Sequence, residues 1–94
     1  MKIAEEASYR DGQTLYVAID AKNRDDLVDD QVANARDTLA MKEASRRNLS
    51  VMGVAGLYTV GPIDDDGKMI TEQALMDGNF SVAGYRAIVK LAVQ

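Results

Sequence analysis

Asp64, Asp65, Asp66 and Gly67 are the densest cluster of chemistry-bearing residues in the chain. Asp64, Asp66 and Gly67 fall where a helix-loop-helix calcium loop places its third, fifth and sixth positions. The first position of such a loop would be Pro62 and the twelfth Gln73, so both its opening carboxylate and its closing bidentate glutamate are missing. A solvated turn, with Gly67 placed for positive φ, accounts for the run. A second acidic group, Asp25, Asp26, Asp29 and Asp30, precedes a helical pattern, where the helix dipole favours negative charge without any metal.

The residue types that usually carry catalysis are scarce. The chain has no histidine and no cysteine, which excludes a Ser-His-Asp triad, a Cys-His dyad and the common zinc sites. Ser8, Ser45, Ser50 and Ser81 therefore have no imidazole to activate them, and none lies in a nucleophile-elbow pattern. Gly53, Gly56 and Gly61 match neither a dinucleotide nor a phosphate-loop fingerprint. The expectation is a non-enzymatic protein with no assigned catalytic, metal or cofactor residue.

Ninety-four residues with 11 Lys and Arg against 15 Asp and Glu give a net charge of −4. One small domain is expected, without the general basic surface that direct nucleic-acid binding requires. No run approaches the length of a membrane span, and Glu5 and Glu6 stand where a secretory signal would be apolar. The expected location is the cytoplasm, or a particle assembled there.

Five elements must position these residues. Gln13 to Asp20 has the β-branched and aromatic content of a strand, following a turn at Asp11-Gly12. Arg24 to Arg47 reads as one long helix capped by Asn23, with Val28, Val32, Ala35 and Leu39 as its apolar stripe. Ala33, Ala40, Met41 and Ala44 form a second, small-residue row, and Glu43 with Arg47 an i,i+4 pair expected on the exposed side. Leu49 to Val60 reads as a strand in which Gly53 and Gly56 mark a bulge or bend, ended by Gly61-Pro62. Thr71 to Asp77 favours a short helix closed by Gly78.

Asn79 to Gln94 reads as one long final strand. Its odd positions Ala83, Tyr85, Ala87, Val89, Leu91 and Val93 make an unbroken apolar row. Its even face mixes apolar and cationic groups, and Phe80, Val82, Arg86, Ile88 and Lys90 are the candidate interface residues. Arg86 and Lys90 are spaced to meet acids of a neighbouring subunit. Tyr58 and Tyr85 have the polar tips expected at the rim of a core or pocket. The fold class is α+β, in the order β-α-β-(short α or turn)-β, with one amphipathic helix on a small, mainly antiparallel sheet. No internal repeat is evident.

At the level of topology, with Gly67-Lys68 followed by Tyr85-Arg86 and Lys90, the chain resembles the dodecin-like arrangement of strands around one helix. That resemblance implies a closed oligomer enclosing a flavin. The chain lacks the tryptophan used there to stack the flavin and has an insertion before the final strand, so no ligand residue carries over. The leading expectation is a homo-oligomeric or larger assembly subunit, such as a decoration, connector or tail component of a viral particle. The alternatives are a small oligomeric protein binding a nucleotide, flavin or signalling molecule at subunit contacts, and an acidic inhibitor of a basic nucleic-acid-binding partner.

Overall fold

The computed structural model describes residues 1–94 as a five-stranded antiparallel sheet with one long helix packed on it. The strands are β1 (Lys2–Ile3), β2 (Tyr9–Asp11), β3 (Thr14–Ala21), β4 (Val51–Ile63) and β5 (Gly84–Val93). The helices are α1 (Asp25–Val28), α2 (Ala33–Arg46) and α3 (Glu72–Asp77). The sheet order is β1-β3-β5-β4, and β2 pairs with the same strand as β1. The architecture is the α+β class read from the sequence.

Alternation puts the odd residues of β3 and β5 on the helix side. Leu15, Val17 and Ile19 with Ala87, Val89, Leu91 and Val93 form the buried floor of the core. Each fully buried Leu, Ile or Val contributes about 1.5–3 kcal/mol relative to exposure. Ala40 and Ala44 are the helix residues set deepest on this floor, and their small side chains let α2 lie close to the sheet.

The long helix expected from Arg24 to Arg47 is in fact two. Asp29 adopts an extended conformation, its Oδ1 accepts from the Gln31 amide at 2.9 Å, and Val32 N–H donates to the Asp29 carbonyl. An aspartate that bonds its own downstream backbone competes with helix propagation, which accounts for the break. The Asn23 side chain caps neither segment, as α1 starts after Arg24 and α2 after Val32. Arg36 then ties the pieces together: Nη1 donates to the Leu27 carbonyl at 2.8 Å, satisfying an open end of α1.

The buried face of α2 also differs from the expected stripe. Arg36, Ala40, Glu43 and Ala44 are buried, whereas Ala35 is exposed and Leu39 only partly covered. Glu43, expected on the exposed side, is 1% exposed. It accepts from Arg46 Nε and Nη2 at 2.7 and 2.8 Å and from Arg47 Nε at 2.8 Å. The Arg46 hydrogen bond leads in holding its carboxyl down at about 2, from an ordinary 4.5, against the opposing cost of burial. Arg46 meets the Glu5 carboxylate and Arg47 donates to the Ser8 carbonyl, so the cluster staples the N-terminal segment to the helix.

Strand β4 runs through Gly61-Pro62 to Ile63, and Pro62 is tolerated because it lies on an edge strand. Three register shifts interrupt its pairing with β5, so Val51, Val54, Leu57 and Val60 oppose Val93, Leu91, Val89 and Ala87. One extra residue per step converts the usual period of two into three. The repeat is visible as Val51-Met52-Gly53, Val54-Ala55-Gly56, Leu57-Tyr58-Thr59, an internal period that a search for alternation passes over. Gly56 takes φ +117, which side-chain-bearing residues rarely adopt.

The helix Glu72–Asp77 forms as expected. Thr71 Oγ1 accepts from the Ala74 amide, and Gly78 closes the last turn in the left-handed region at φ +67. The final strand is shorter than its pattern, starting at Gly84 instead of Asn79. Its partners end there: Ala21 of β3 pairs with Tyr85, and Ile63 of β4 with Gly84. No helix is long and apolar enough to cross a membrane.

Candidate functional site

Of the five expected interface residues, Phe80 and Val82 are exposed, lying just outside β5. Arg86 and Ile88 lie on the sheet face away from α2 and are buried by the chain itself. Ile88 packs with Ala4 and Ala18, with Ala7 and Tyr16 beside them, because the N-terminal segment folds across this part of the face. Lys90 is partly exposed, its Nζ 5.9 Å from the Tyr16 ring centre, within cation–π range.

Arg86 forms a two-pronged ion pair with Asp20 directly across from it, at 2.7 and 2.9 Å. This hydrogen bonding raises the guanidinium pKa, with burial opposing it. The pair floors an open cavity of about 740 Å³ whose walls include Lys2, Glu6, Lys22 and the Asp64–Gly67 turn. Both signs of charge are present, and the guanidinium is already matched to a carboxylate. Asp64 Oδ1 accepts from the amides of Asp66 and Lys68, so the aspartate run is engaged in making its turn. No three His, Cys, Asp or Glu side chains are grouped to hold a metal ion.

Further along the same face, three of the four tyrosines come together. Tyr9 stacks on Tyr16 with ring centres 4.8 Å apart, and Tyr58 meets Tyr16 edge-on at 5.3 Å. Tyr9 and Tyr58 remain more than half exposed. Aromatic rings with a polar tip are enriched at protein interfaces, and Tyr58 brings this row to the edge strand.

The two edges of the sheet are unlike. β1 and β2 form one interrupted edge with the charged residues Lys2, Arg10 and Asp11, broken by a 3-10 turn at Glu5–Ala7. Ser8 bridges the break, accepting from the Ala18 amide at 2.9 Å and donating to the Ala4 carbonyl at 3.0 Å. The opposite edge, β4, has no strand on its outer side. Only its last residues are covered, where Ile70 N–H donates to the Pro62 carbonyl and Met69 bridges Ile63. From Val51 to Val60 it has no charged residue, and Met52, Val54, Leu57 and Tyr58 are exposed. Native sheets guard such an edge with charge, proline, bulges or a covering element, and from Val51 to Val60 β4 has only the bulge-like register shifts.

Sequence reasoning missed this strand as the exposed element because it looked for surplus length at the C-terminus. The signal was present as the longest uncharged stretch of the chain, Asn48 to Ile63. No protein-family model matches the chain, and comparisons with curated proteins and with solved structures likewise found no match.

Proposed function

We propose that this chain is a non-enzymatic assembly subunit that associates with further copies of itself through the free edge of β4. The uncharged, unpaired stretch from Val51 to Val60 carries this reading. The exposed apolar side chains of this strand and the adjoining tyrosine row supply the desolvated centre that a protein interface needs. A non-catalytic role fits the residue inventory: with no histidine or cysteine, and with Glu43 held in its ionised form, acid–base chemistry near neutral pH lacks an obvious agent.

The cavity above Arg86 is of a size that accepts a small ligand. Arg86 is matched to Asp20, and Lys2 and Lys22 share the walls with Glu6 and the Asp64–Gly67 turn, so the cavity offers no surplus of one charge to select a ligand and the binding-protein reading has less support.

Native mass spectrometry, with sedimentation velocity over a dilution series, tests the proposal. The expected result is a ligand-free oligomer of fixed stoichiometry that dissociates on dilution. A monomer throughout, at concentrations up to about 100 μM, would overturn it, since stable interfaces dissociate well below that range. An oligomer carrying extra small-molecule mass would move the assignment to the binding protein.

A further inference from the structure

The segment Glu72 to Ala83 is ordered without a core of its own. α3 buries no residue, and Leu75, Met76, Phe80 and Val82 are all exposed, Met76 at 80%. Two conflicts between sequence and structure meet here. The alternating pattern extends the final strand back to Asn79, with Phe80 and Val82 on one side, yet in the structure only Ala83 continues the pairing, its N–H donating to the Ile63 carbonyl, while Asn79 N–H closes α3 on the Ala74 carbonyl. The amides of Phe80, Ser81 and Val82 donate to no backbone carbonyl of the chain. A local preference that the rest of a fold does not satisfy is the mark of a functional or strained site.

We infer that the extended segment Phe80–Val82 of one copy adds to the free edge of β4 in a second copy, in reciprocal exchange. α3 then brings Leu75 and Met76 against the exposed side chains of that strand. This inference rests on the assembly reading above and specifies what occupies the edge.

Three observations favour this occupant. Gly78 to Ala83 is free of charge, as is β4 from Val51 to Val60, so no ionised group is desolvated in the paired segment. The surfaces also match in size. Leu75, Met76, Phe80 and Val82 on the arm, and Met52, Val54, Leu57 and Tyr58 on the strand, give each side four large side chains that are at least 39% exposed, enough to form the apolar centre of a contact. Finally, the three register shifts coil β4, so β4-to-β4 pairing would have to match that irregular shape over its whole length. A short extended segment needs to follow it only locally, as in strand addition by short peptides. The other edge is excluded by Lys2, Arg10, Asp11 and its 3-10 interruption.

The absence of native cysteine makes the test direct. Phe80→Cys and Val54→Cys chains, mixed and treated with a short bismaleimide, should give a covalent dimer joining one of each, well above either variant alone. In parallel, the double variant Phe80→Asp with Val82→Asp should weaken association at least 10-fold while the far-ultraviolet circular dichroism is unchanged, since both residues are exposed. An oligomer that persists in the double variant, or that cross-links only through Val54→Cys to itself, would overturn the arm exchange and leave edge-mediated assembly standing. A wild-type chain that stays monomeric would overturn both.

Discussion

The two edges of this sheet solve the same problem in different ways. Along β1 and β2, a row of unpaired backbone groups is shortened, broken by a 3-10 turn, dotted with charge and stapled to α2 through Glu43, Arg46 and Arg47. Along β4, a longer strand has only register shifts and one terminal proline. Charge on an edge strand disfavours pairing because a partner would have to desolvate it. The bare edge is therefore not a general tolerance of this fold. The same chain protects one edge thoroughly and leaves the other open.

The sharpest way to break this contrast is to guard β4 as the other edge is guarded. Val54→Lys with Leu57→Lys places two charges on a stretch that has none, at side chains exposed enough to accept them. Association is expected to weaken by at least about 100-fold, close to 3 kcal/mol, measured by sedimentation equilibrium. The monomer should stay folded, with its thermal midpoint lowered by no more than a few degrees. Unchanged association would sink the edge as the interface.

The next effect concerns the staple. Glu43→Ala leaves two guanidinium groups without their shared acceptor, and because Arg46 is more than half exposed, water offsets part of the loss. A destabilisation of about 2 kcal/mol in urea unfolding is expected. Amide exchange should accelerate first around Ala4 and Ser8, which the cluster holds down, and not along β4. Equal acceleration at both edges would mean that Glu43 supports the whole core and not this edge.

Acid titration examines the same cluster without a mutation. The folded pKa of Glu43, about 2, lies below its ordinary 4.5, so the unfolded chain binds its proton more readily. The contribution of the cluster is complete above pH 4.5 and is lost as the pH falls towards 2. The wild type should lose more stability across that window than Glu43→Ala does. Parallel stability curves would contradict the depressed pKa.

Much of the fold was legible because one rule, alternation, governs β3 and β5. Ala87, Val89, Leu91 and Val93 are core residues wherever the helix lies, and Thr71 and Gly78 bound α3 through local hydrogen bonding and backbone sterics. The long helix was misread where polarity and burial part company. Arg36 and Glu43 are buried because each finds hydrogen-bond partners at hand, which a hydrophobic stripe does not record. The helix break at Asp29 depends on a side-chain bond two residues ahead. Alternation grouped Phe80, Val82, Arg86 and Ile88 on one strand face, but Phe80 and Val82 lie outside β5, and the cover over Arg86 and Ile88 comes from Ala4, Ala7 and the Asp64–Gly67 turn, distant in sequence and individually nondescript. The triplet period of β4 is written in the chain, but period three belongs to 3-10 and polyproline II helices and not to strands, so here it acquires meaning only opposite β5.

The smallest expected effect is also the most informative about design. Arg10 lies on the guarded edge, its Nε donating to the Gly12 carbonyl at 2.9 Å on an exposed turn. Arg10→Thr removes a charge from β2 and adds a β-branched residue with good strand propensity, so monomer stability should move by less than about 0.5 kcal/mol. If charge is what keeps that edge closed, the variant should gain a weak, concentration-dependent association that persists in the Val54→Lys, Leu57→Lys background, where the β4 contact is gone. If no association appears, the guard on this edge resides in the 3-10 interruption, which splits the acceptor edge into β1 and β2 so that it presents no continuous row of hydrogen-bonding groups even when its charge is removed.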